Sequence, residues 1–124
     1  MTIKIELQKP EIDVEIGGLQ FKYDYSDKSL EDASREAQDV LKQVKALNDD
    51  SKVEEIKQQL KRGFDLYLGD GAFDQIFKLN PSSFELASVF VTLHNKLEDE
   101  LESRGEKIRK SQQERAKKYN KKKK

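Results

Sequence analysis

Apolar and polar positions alternate with period two near the start of the chain and recur with a helical period after it. Ile3, Ile5 and Leu7 alternate with Lys4 and Glu6. Beyond Pro10 a second run, Ile12-Asp13-Val14-Glu15-Ile16, meets Gly17-Gly18, and a third sets Leu19, Phe21, Tyr23 and Tyr25 against Gln20, Lys22 and Asp24. β-Branched and aromatic residues at this spacing around Gly-Gly predict a β-hairpin region over 3–25, of two or three strands. A hairpin alone is marginal in water, so the helices that follow must give it a surface to lie on.

From Ser29 the apolar residues Leu30, Ala33, Ala37, Val40, Leu41, Val44 and Leu47 take helical spacing, which predicts a helix over about 29–47, broken by Asn48-Asp49-Asp50. Ser51-Lys52-Val53-Glu54 has the form of a capping box and opens a second helix over 51–68, with Val53, Ile56, Leu60, Phe64, Tyr67 and Leu68 on one face. Gly69 stops that helix, because glycine tolerates the left-handed backbone that closes a helix end. Asp70 is then placed to cap a short helix over 71–78 whose apolar face is Ala72, Phe73, Ile76 and Phe77. Asn80-Pro81 separates it from a last helix over 82–104, opened by a second capping box, Ser82-Ser83-Phe84-Glu85. That helix carries Leu86, Val89, Phe90, Leu93, Leu97 and Leu101. The predicted fold class is α+β, mostly α: one domain over 1–108, with the hairpin packed on a small helical bundle.

Gly69-Asp70-Gly71 thus reads as a structural corner between two helices. Four of the six Phe, namely Phe64, Phe73, Phe77 and Phe84, lie within reach of it or just after it, so the core is expected to be densest there. Phe73, Phe77, Phe84 and Phe90 are the candidate partner-binding residues. The corner does not have the spacing of a calcium loop, and its glycines neither follow a strand nor precede the Gly-Lys-Ser/Thr of a phosphate cradle.

Charge changes the picture. Formal net charge is zero, but Arg104–Lys124 holds 11 Lys and Arg against 2 Asp and Glu, a net of +9, which leaves −9 on residues 1–103. An acidic body with a basic tail concerns partners rather than fold. Residues 109–124 have only Ala116 and Tyr119 as apolar or aromatic residues, so a flexible, disordered basic tail or a frayed helix is expected there. Lysines in such a tail give sequence-blind, salt-dependent affinity for phosphate, which makes a small nucleic-acid-binding accessory protein the alternative reading. One aromatic residue and an acidic body argue against it, and nucleic acid is the less expected partner.

Cysteine is absent, which removes disulfides and thiolate chemistry. His94, the one histidine, has no second ligand at helical spacing, and the acidic group Glu98-Asp99-Glu100 with Glu102 reads as a solvated helix face. No catalytic residue, metal or cofactor is expected, and an enzyme is the weakest class. No apolar run approaches a membrane span and the start lacks a signal-peptide layout, so a cytoplasmic protein is expected. Amphipathic helices beside a hairpin suit an interaction protein.

The stretch LGDGAFDQIFKLNPSSFELASVFVTL, residues 68–93, resembles the tail assembly chaperones of long-tailed bacteriophages, especially those infecting Gram-positive hosts. The likeness covers about residues 53–108 and rests on the Gly-x-Gly corner, the aromatic after it and the long last helix. It implies a non-enzymatic protein in the cytoplasm of a bacterial host, one that keeps the tape measure protein soluble until tail-tube subunits replace it. Other tail components are further partners it implies, and a homo-oligomer is a separate expectation for the chain. Chaperones of this kind are often made in two lengths by a ribosomal slip. The A-rich codons of Lys121–Lys124 offer a place for one, with an extended product as its expected sign.

Overall fold

The computed structural model describes residues 1–48 and 52–122, with side chains described through Lys107. Two antiparallel strands, β1 (Glu11–Ile16) and β2 (Leu19–Asp24), are followed by four helices: α1 (Asp27–Lys45), α2 (Val53–Leu68), α3 (Ala72–Leu79) and α4 (Ser83–Lys122). The fold is α+β and mostly helical, with the hairpin packed on the helices.

Gly17 and Gly18 both have positive φ, 56° and 84°, which matches the turn to the right-handed twist of the flanking strands. The resulting register sets Ile12 opposite Tyr23, Val14 opposite Phe21 and Ile16 opposite Leu19. Period two then gathers all six on one face. β2 lies against α2 and α3, with the Tyr23 ring edge-on to Tyr67 at 5.7 Å. On the opposite face Lys22 pairs with Glu11 at 3.4 Å, and Gln20 Nε2 donates to Glu15 Oε1 at 2.9 Å.

The expected segment at 3–7 is not a strand. Residues 1–9 have no regular structure, and Ile3, Ile5 and Leu7 are 83%, 81% and 91% exposed. Alternation prepares a segment for a sheet but does not supply a neighbour to pair with.

Helix α1 starts two residues before the expected Ser29 because Ser26 is its cap. The Ser26 hydroxyl accepts from the Ser29 N–H at 3.4 Å, while the Ser26 N–H donates to Asp24 Oδ1 at 2.8 Å. That backbone bond, joined by the Ser26 and Ser29 hydroxyls, holds the Asp24 carboxyl below its ordinary range. Only Val40 and Val44 of α1 are buried. Arg62 on α2 fixes α1 from outside, its Nε 2.9 Å from Glu36 and its Nη1 3.0 Å from Asp39. These bonds raise the guanidinium above its usual value, that to Glu36 first.

α2 is the central element and packs against α1, α3 and β2. Ile56, Leu60, Phe64, Tyr67 and Leu68 recur three, four and one apart and are all buried. Phe64 stacks on Phe73 at 6.1 Å and meets Phe90 edge-on at 5.3 Å, and Tyr67 stacks on Phe90 at 5.4 Å. Gly63 is buried among them. A Cβ there would lie 2.7 Å from the Phe90 ring and 2.8 Å from Val40, so α1, α2 and the first turns of α4 approach closely because this position has no side chain.

α2 begins at Val53 with Lys52 as its N-cap and no side-chain bond there; Ser51, the expected cap, lies outside the described residues. The second capping box forms by half. Ser82 Oγ accepts from the Glu85 N–H at 3.3 Å, but the Glu85 carboxylate takes the Asn80 side-chain amide at 2.7 Å instead of reaching back to Ser82.

α4 runs to Lys122, beyond the expected end near 104, so the backbone over 109–122 is helical; Lys123 and Lys124 lie outside the described residues. Lys, Arg, Gln, Glu and Ala are strong helix formers, so the backbone can continue without an apolar face to bury. Residues 1–91 form one unit, and 92–124 form a second within α4. In the second unit Leu93 and Leu97 are buried, His94 Nε2 lies 3.6 Å from Glu98 Oε1, and Arg104 pairs with Glu100 at 3.0 Å. Among the described residues, no helix is long and apolar enough to cross a membrane.

Candidate partner-binding surface

The corner joins α2 to α3 through backbone geometry. Gly69 has φ 101° and ψ 157°, and Gly71, the N-cap of α3, has φ 89°. The Gly69 conformation lies beyond the left-handed helical region, where side-chain-bearing residues are rarely found. A Cβ at Gly69 would meet nothing within 4 Å, so any cost of a side chain is in the backbone. Gly69→Val should therefore destabilise the fold by roughly 1–3 kcal/mol, read as a lower Tm; an unchanged Tm would remove the corner from the account.

Asp70 does not cap α3, contrary to the sequence expectation. Gly71 occupies the N-cap and no side chain bonds there, so Asp70 stands one position too early and is exposed. The carboxylate comes from α2 instead. Asp65 Oδ1 accepts the Phe73 N–H at 2.9 Å and places negative charge at the first turn of α3, where the helix dipole favours it. Asp74 points elsewhere, pairing with Lys61 at 3.2 Å. The three carboxylates of this region thus have separate surroundings, and among the described residues no group of three His, Cys, Asp or Glu could hold a metal ion.

The four candidate aromatics divide. Phe73 and Phe90 are fully buried, so the expectation that they bind a partner is corrected: both faces of their rings are occupied by the core. Phe77 is half-buried, 5.5 Å from Phe73, with Lys57 Nζ 4.5 Å from its ring centroid. Phe84 is 57% exposed and Leu79 is 58% exposed, on either side of the Asn80-Pro81 link. Compared with known proteins, the chain matches no family model, no curated sequence and no solved structure.

Leu79 was not singled out by sequence because its spacing fits the buried face of α3. It ends the helix, and the Asn80-Pro81 link leaves it beside the hairpin turn, where a Cβ on Gly17 would lie 3.1 Å from its Cδ1. Phe84 is exposed because it lies in the first turn of α4, while Leu86 and Phe90 take the buried face. The α3–α4 link thus exposes apolar surface at Leu79 and at Phe84. Such a surface can bind the apolar side of a partner helix.

Proposed function

We propose that this protein is a phage tail assembly chaperone that binds the tape measure protein and keeps it soluble for tail-tube assembly. The carrying observation is the exposure of Phe84 and Leu79 at the link between α3 and α4, within the stretch whose sequence resembles that family. A holdase needs apolar surface fixed in place by a core that does not itself open. The stacked rings of Phe64, Phe73, Phe90 and Tyr67 behind the link supply that support. An acidic body keeps the complex soluble while apolar contacts hold the client.

Co-expression with the tape measure protein is the test. The expected result is a soluble complex that co-purifies at about physiological salt, while binding to duplex or single-stranded DNA stays in the ~10⁻⁴ to 10⁻⁶ M range of non-specific contacts. An insoluble client with submicromolar DNA binding at the same salt would instead support the nucleic-acid reading through the basic part of α4.

A further inference from the structure

We infer that residues Ile3–Leu7 of one copy add as a third strand to the free edge of β1 in a second copy. Among the described residues the sheet has two strands, so β1 has one edge that no strand covers, and α2 and α3 lie against β2. The hydrogen-bonding alternation of β1 follows from one bond at its start. The Tyr25 N–H donates to the Pro10 carbonyl at 2.8 Å, so Ile12, Val14 and Ile16 direct their backbone groups toward β2. Asp13 and Glu15 then direct theirs to the outer edge, where no further strand lies among the described residues. On the core face of the same strand Ile12 is buried, but Val14 and Ile16 are only half-buried.

Ile3-Lys4-Ile5-Glu6-Leu7 fits that edge. Its three apolar side chains share one face and are almost wholly exposed in the single chain. In a third strand they would extend the apolar face of Ile12, Val14 and Ile16. Long exposed alternating segments and open strand edges are also what natural sheets pair or cover.

No two-, three- or four-residue link after Leu7 brings the chain's own segment to its own edge in a usable register. A three-residue link, Gln8-Lys9-Pro10, would set Leu7 opposite Glu11 and Ile5 opposite Asp13, putting the apolar side chains on the charged face. Its third residue would also need a left-handed backbone, which Pro10 cannot adopt. A two-residue link would need Pro10 to close the turn, but Pro10 has no N–H and its carbonyl already accepts from Tyr25. A four-residue link would need Glu11 in the turn, but Glu11 is extended and paired with Asp24. A second copy has none of these constraints.

One side chain opposes the pairing. Glu6 must fall beside the acidic side chains of β1, Glu11, Asp13 and Glu15, in every register that keeps the apolar face together, and like charges across a ladder weaken it. Self-association should therefore be concentration-dependent, in the roughly micromolar range, and improvable by one substitution. This inference does not depend on the chaperone reading.

The test is sedimentation equilibrium of the full chain, with amide hydrogen exchange across the same concentrations. Wild-type mass should rise toward that of a dimer or larger assembly, with the Asp13 and Glu15 amides becoming protected as it does. Ile5→Pro, at an exposed position, should stay monomeric with an unchanged Tm, and Glu6→Lys should tighten association by several-fold. A wild-type monomer throughout, or equal association of Ile5→Pro, would overturn the inference. So would protection of Asp13 and Glu15 that does not depend on concentration, which would place the added strand in the same chain.

Discussion

Phe90→Ala should cost about 3–5 kcal/mol of stability, the range for deleting a large aromatic side chain from a packed core. Phe90 is fully buried, edge-on to Phe64 and stacked on Tyr67, and its ring lies over the side-chain-free position Gly63. Its removal leaves a cavity between three helices of the 1–91 unit, whose walls are rings that cannot collapse into it. A domain of this size should lose more than ~10 °C in Tm, measured by thermal denaturation. A variant that melts near the wild type but loses a partner would return Phe90 to the surface role that its sequence context suggests.

Phe84→Asp should do the opposite. The side chain is 57% exposed, so stability should change by no more than about 0.5 kcal/mol. Client binding should fall by at least ~10-fold, because a charge placed at the centre of an apolar contact must be desolvated without a partner. The readout is the fraction of co-expressed tape measure protein that stays soluble, compared with a control substitution such as Asp70→Ala at an exposed corner residue. Equal client solubility with Phe84→Asp and wild type would move the contact away from the α3–α4 link.

Taken together, these two residues show what sequence pattern can resolve. Helical spacing placed α2 well, since Ile56, Leu60, Phe64 and Tyr67 form one uninterrupted face and Gly69 ends it. The Gly-Gly turn likewise made β1 and β2 legible, with period two assigning every side chain to a face. Spacing could not separate Phe84 from Phe90, since both belong to an aromatic-rich stretch and their burial depends on which turn of α4 meets the core.

Capping was legible only where the side chain and the helix start coincide. Ser82 fits that rule, whereas the cap of α3 comes from Asp65, on the preceding helix and eight residues before the N–H it binds. Local patterns do not reveal bonds of that kind. The segment at 3–7 fails for a related reason, since its pattern describes what it can pair with and not whether a partner strand is present. The extent of α4 is hard to place from pattern because helix propensity, without any apolar face, is enough to continue the backbone there.

Client binding is measured most directly by dilution of unfolded tape measure protein into buffer. Light scattering should stay near baseline when this chain is present in stoichiometric amount, and should rise to the client-alone level with Phe84→Asp. Aggregation as fast with a molar excess of wild-type chain as without it would contradict the chaperone reading.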